Sequence, residues 1–100
     1  MVAQKIDLPM EEIAVICSRY KVRELALFGS VLRDDFRPDS DIDVLVEFDP
    51  DAEIGFMALA RMARELSALL HRKVDLVPKT GLKPKIRRDV LAGSKVLYAA

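Results

Sequence analysis

The clearest pattern in the chain is the run Asp41-Ile42-Asp43-Val44-Leu45-Val46-Glu47-Phe48, in which Ile42, Val44, Val46 and Phe48 alternate with the other positions. Period-two alternation predicts a half-buried strand. Successive side chains of a strand point to opposite faces, so Asp41 and Asp43 share the face turned away from those apolar residues. Upstream, residues 25–28 predict another strand, ended by Gly29-Ser30. Between the two, residues 31–36 read as a short helix capped by the Ser30 hydroxyl, and Arg37-Pro38-Asp39-Ser40 carries turn chemistry.

A 3.6-residue period marks the helices. Residues 9–20 place Ile13, Ile16, Cys17 and Tyr20 on one face, with Pro9, Glu11 and Glu12 suited to the N-terminal end. Residues 54–71 form the longest predicted helix. Leu59, Met62, Ala63, Leu66, Leu69 and Leu70 make its core stripe, and Arg61, Arg64 and Glu65 lie outside. Met57 and Met62 read as packing, and His71 as a C-terminal residue that complements the helix dipole. Residues 73–77 predict a third strand with Val74 and Leu76 on one face and Asp75 on the other. A loop at 78–81, a short basic helix at 84–91 and a last strand or terminal extension at 96–98 complete the chain. Helices alternating with strands predict an α/β (α+β) fold, a small β-sheet flanked by helices, in one domain spanning residues 1–100.

Composition changes this picture little, but charge distribution does. Apolar residues at 51% and charged residues at 32% describe an ordinary globular protein, and zero formal net charge argues against direct nucleic-acid binding. Residues 34–53 hold nine acidic residues and one basic, whereas residues 79–100 hold six basic and one acidic. One half therefore offers cation ligands, and the other, including 83–88, could meet phosphate or an acidic partner. A single cysteine, Cys17, excludes a disulfide framework and a cysteine metal cluster, and fits a small core residue. Neither a secretory leader nor the ~18-residue apolar run of a spanning helix is present, so no membrane association and a cytoplasmic location are expected.

Two carboxylates on one strand face, with Cα atoms roughly 6.6 Å apart, repel each other unless a cation lies between them. Oxygen-only ligands favour a hard ion such as Mg²⁺. Several familiar acidic motifs do not match. Asp39, Asp41 and Asp43 mimic a calcium loop, but its glycine position holds Val44 and its closing glutamate position Pro50. No Gly-Lys-Ser/Thr is present for a P-loop, and the four scattered glycines make no dinucleotide fingerprint. An aspartyl-phosphate phosphatase would end a strand with its carboxylates, and a sugar transferase would need a larger domain. Metal-assisted transfer from a nucleoside triphosphate remains, with Asp41, Asp43 and Asp75 on neighbouring strands. Gly29 would let backbone approach the phosphates, Ser30 would begin a helix whose free N–H groups favour them, and Arg33 could add a charge.

Gly29-Ser30, ten intervening residues and Asp41-Ile42-Asp43 resemble the signature of the polymerase-β-type nucleotidyltransferase superfamily. Arg37-Pro38-Asp39-Ser40 strengthens the resemblance to its smallest members, the minimal nucleotidyltransferase (MNT) domains. The resemblance implies a mixed sheet in the nucleotidyltransferase fold and Mg²⁺, expected as two ions, held by Asp41, Asp43 and Asp75. It also implies ATP gripped through Gly29 and Ser30, and proton removal from the acceptor by Asp75. Many relatives have arginine after Gly-Ser and glycine three residues later. Here those positions are Val31 and Asp34, which shifts the triphosphate grip toward Arg33 and Arg37.

Stand-alone MNT proteins of this length resemble antitoxins of HEPN/MNT toxin–antitoxin systems. That likeness implies transfer of AMP from ATP to a tyrosine hydroxyl of a HEPN ribonuclease toxin. Two other functions stay open: a non-catalytic antitoxin that silences its toxin by occlusion, and a transferase acting on a small-molecule hydroxyl.

Overall fold

The computed structural model describes residues 8–29 and 41–100. Ser30, the helix expected at 31–36 and the turn at 37–40, with Arg33 and Arg37, lie outside the described residues.

The chain enters through α1 (Met10–Arg19), which has Glu11 and Glu12 in its first turn and buries Ile13, Ile16 and Cys17. Carboxylates there favour the positive end of the helix dipole. Lys21, at φ 58°, swings the backbone into β1 (Val22–Phe28). This strand starts three residues before the expected position. Arg23 and Glu24 break the apolar run, yet Val22 is buried and a bulge between Val22 and Glu24 absorbs the irregularity.

The alternating stretch forms β2 (Ile42–Phe48), antiparallel to β1. α2 (Phe56–Leu70) then crosses over to β3 (Val74–Pro78), which runs parallel to β2. Parallel neighbours require such a crossover. His71 closes α2 in the left-handed conformation at φ 56°, exposed and serving as the C-cap. After a single 3₁₀ turn at Lys79–Gly81 come α3 (Pro84–Ala92), with proline in its first turn, and β4 (Lys95–Ala99). β4 is a true strand, antiparallel to β1, so the sheet order is β3-β2-β1-β4. The expected mixed sheet with flanking helices is thus the observed one.

One sheet face carries the main core. Leu25 and Leu27 of β1, Ile42, Val44 and Val46 of β2, and Val74 and Leu76 of β3 pack against Ile13, Ile16 and Cys17 of α1 and Met62, Leu66 and Leu70 of α2. Cys17 is fully buried, and burial pushes its thiol up to about 11, as expected of a core residue. One packing expectation fails. Met62 is fully buried, but Met57 is 76% exposed beside Phe56 at 82%, because both lie in the first turn of α2 before its stripe reaches the core.

Glu65 is not a free surface residue either. It accepts hydrogen bonds from the buried Tyr20 hydroxyl and from Arg19 Nη1, the latter at 2.6 Å, tying α1 to α2. Ser67 ties α2 to β3: its hydroxyl donates to the Ala63 carbonyl at 2.8 Å and accepts from the Val74 N–H at 2.9 Å. Among the described residues, no helix is long and apolar enough to cross a membrane.

Candidate active site

The site lies on the opposite face of the sheet. Register pairs Glu24 with Glu47, Ala26 with Leu45 and Phe28 with Asp43 across β1 and β2, and Asp43 with Asp75 and Leu45 with Val77 across β2 and β3. The face therefore has two polar ends around an apolar centre in which Ala26 and Leu45 are buried.

At one end stand the carboxylates. Asp43 and Asp75 are direct neighbours on parallel strands, which sets their Cα atoms about 4.8 Å apart. Asp41 immediately precedes β2 and is two residues from Asp43, so strand alternation places all three on one face. Asp41 and Asp75 are exposed and Asp43 is half-buried. The Ile42 N–H donates to the Lys73 carbonyl at 2.8 Å, locking the first residues of β2 to those of β3. Gly29, the residue after β1, has φ 76°. A Cβ there would come within 2.3 Å of Asp43 Oδ2, so the position needs glycine for both its backbone angle and its closeness to the carboxylate.

The chemistry of this donor set fits a hard divalent cation: oxygen ligands only, one face, two adjacent strands. The side chains are not already gathered around a point. Among the described residues, no group of three or more His, Cys, Asp or Glu is positioned to hold a metal ion. Register sets Asp41, Asp43 and Asp75 on one face with Gly29 beside Asp43, while Ser30, Arg33 and Arg37 lie outside the described residues.

Two lysines that spacing did not single out belong to this face. Lys73 Nζ stands 3.9 Å from Asp41 Oδ2. At the far end, Lys79 donates to Glu24 and, at 3.1 Å, to Glu47. It thereby bridges two carboxylates that face each other across strands and would otherwise repel. The hydrogen bond to Glu24, above all, raises the Lys79 ammonium above its ordinary pKa despite the opposing effect of burial. No local sequence signal marks either contact, because each depends on strand register.

With this geometry in hand, comparison with known proteins places the chain. The family model for the nucleotidyltransferase domain matches residues 10–97. The chain belongs to that family. A protein adenylyltransferase, MntA of Thermococcus cleftensis, is 40% identical over 73 residues, which cover 73% of this chain and 72% of that protein. A solved structure of a candidate minimal nucleotidyltransferase is 35% identical with a TM-score of 0.72, covering 85% of each chain. The fold is also that of the MNT antitoxin solved in complex with a tri-AMPylated HEPN toxin of Shewanella oneidensis, with a TM-score of 0.66, 22% identity and coverage of 91% of this chain and 70% of that one. The expected family and the expected enzyme class, a nucleotidyltransferase related to protein adenylyltransferases, both hold.

Proposed function

We propose that this chain transfers AMP from ATP to a hydroxyl, expected to be that of a tyrosine, on a HEPN-family toxin, and so acts as an antitoxin. The observation that carries this reading is the pairing of Asp43 with Asp75 across β2 and β3, with Gly29 backed against Asp43. That arrangement suits phosphoryl chemistry, and the adenylyltransferase relative and the AMPylated toxin of the Shewanella complex indicate the group and the acceptor.

Asp41, Asp43 and Asp75 would hold Mg²⁺, expected as two ions. Bound there, divalent cations supply charge neutralisation of the phosphates and stabilisation of charge developing at the α-phosphate. The chain's own groups do the rest. Gly29 admits backbone close to the nucleotide, and Asp75, exposed at the site, accepts the proton of the acceptor hydroxyl. The acceptor oxygen forms its bond to the α-phosphorus as the bond from that phosphorus to pyrophosphate breaks. The buried Ala26–Leu45 centre gives the face a rigid floor, which holds the carboxylates in place between successive acceptors. The cytoplasm, where ATP and Mg²⁺ are abundant, is the place of action in this reading.

The test is the intact mass of a HEPN-family toxin after co-expression with this chain, as wild type or as Asp41→Ala, Asp43→Ala. One or more added AMP masses with wild type alone is the expected result. An unmodified partner that still co-purifies in an inactive state would instead make this chain an occluding antitoxin.

A further inference from the structure

Lys73 is the residue of this face to which the site chemistry gives no role. Ile42 pairs with Val74, so Lys73 stands opposite Asp41 just as Asp75 stands opposite Asp43. Alternation along the strand then puts Lys73 and Asp75 on the same face. Its Nζ lies 3.9 Å from Asp41 Oδ2, with side-chain exposures of 78% and 50%. An ion pair this long and this wet is weak and easily exchanged. Its backbone is not: the Lys73 carbonyl is fixed to the Ile42 N–H, so a mobile ammonium swings from a fixed root beside the carboxylates.

Two consequences follow from charge alone. A divalent cation entering at Asp41 meets the Lys73 ammonium as a like charge and must displace it. Once displaced, the ammonium sits within a flexible four-carbon reach of whatever anion accompanies the cation. We propose that Lys73 is a phosphate-binding residue for the nucleoside triphosphate, parked on Asp41 in the empty site and transferred to the phosphates when nucleotide binds. The inference rests on the carboxylates being the metal site, as proposed above.

The handover has a signature of opposite signs, read by titration without any turnover. Calorimetric titration of the full chain with MnCl₂ alone should show Lys73→Met binding about threefold more tightly than wild type, because the competing ammonium is gone. Titration with a fluorescent, non-hydrolysable ATP analogue at saturating MnCl₂ should show Lys73→Met binding several-fold more weakly, and Lys73→Arg should match wild type in both. Unchanged analogue affinity, unchanged Mn²⁺ affinity, or weakening of both would each overturn the proposal. Asp41→Ala, Asp43→Ala separates this from the underlying reading. If that variant binds Mn²⁺ as well as wild type, both readings fall. If it loses Mn²⁺ while Lys73→Met is unchanged in either titration, only the role of Lys73 falls.

Discussion

Gly29 and Asp43 come so close that a methyl group on the first would collide with the carboxylate of the second, at 2.3 Å from Oδ2. The end of β1 therefore presses bare backbone against a proposed metal ligand. Gly29→Ala meets two obstacles, a φ of 76° that a Cβ disfavours and the displacement of Asp43. We expect a stability loss of about 1–2 kcal/mol by urea denaturation. Calorimetric Mn²⁺ affinity should fall at the same time. Unaltered Mn²⁺ binding would show that the position of Asp43 does not matter to the site.

Lys79 holds together the other end of the same face. Removing it leaves Glu24 and Glu47 opposed across β1 and β2. Lys79→Met should cost about 1–2 kcal/mol of stability, and the triple variant that also carries Glu24→Gln and Glu47→Gln should recover most of it. A triple variant as unstable as the single one would mean that Lys79 acts through its aliphatic stem and not its charge.

How much of this was legible beforehand depends on the range of the interaction. The β2 strand and its carboxylates were readable because their alternation is unbroken over eight residues. The parity of Asp75 was readable too, from Val74 and Leu76 alone. The start of β1 was not, since Arg23 and Glu24 obscure a strand that is held by pairing to β2 and β4. The exposure of Met57 was hidden because periodicity gives a helix its faces but not the point where the core begins. Lys73 and Lys79 were invisible for a stronger reason. Lys79 meets Glu24 across 55 residues, and only the register of three strands, β1, β2 and β3, brings them together. Spacing finds residues that share an element, not residues that share an end of a sheet.

Ser67 makes a prediction about how Asp75 is presented. Its hydroxyl accepts from the Val74 N–H, one residue before the carboxylate. Ser67→Ala leaves that half-buried N–H without its acceptor, at a cost of about 1 kcal/mol. Amide hydrogen exchange at Val74 should accelerate while that of Val44 on β2 does not. Equal acceleration at both would point to general loosening and not to loss of one anchor.

Alkaline pH should weaken the fold through Cys17. Burial holds its thiol at about 11, whereas the unfolded chain would lose the proton near 9.0. Between those values the unfolded state binds fewer protons than the native one, so stability is intact below pH 9 and declines as pH rises toward 11. The thiol accounts for about 2 kcal/mol of that decline. Tyr20 and Lys79 act in the same direction, since both have pKa values raised in the fold, Tyr20 chiefly by burial and Lys79 chiefly by its bond to Glu24. Cys17→Ala should start less stable by about 1 kcal/mol, from the small cavity it leaves. Its urea midpoint should then fall less steeply between pH 8 and pH 11. Parallel slopes would remove Cys17 from the account.

The last prediction separates stability from function at one residue. Asp43 and Asp75 face each other on adjacent strands, and like charges so placed are destabilising. Metal-free Asp75→Asn relieves that repulsion with almost no change in shape, so it should be more stable than wild type by about 0.2–1 kcal/mol in EDTA. In the proposed reaction the same change removes a metal ligand and the group that takes the acceptor's proton. Transfer of AMP, followed by partner mass over time, should fall by about 10²-fold or more. Sites of this kind hold unfavourable charge that the fold alone would discard. A variant both less stable and less active would be ordinary structural damage. Stabilised and inactive is the combination that marks Asp75 as held in place for chemistry.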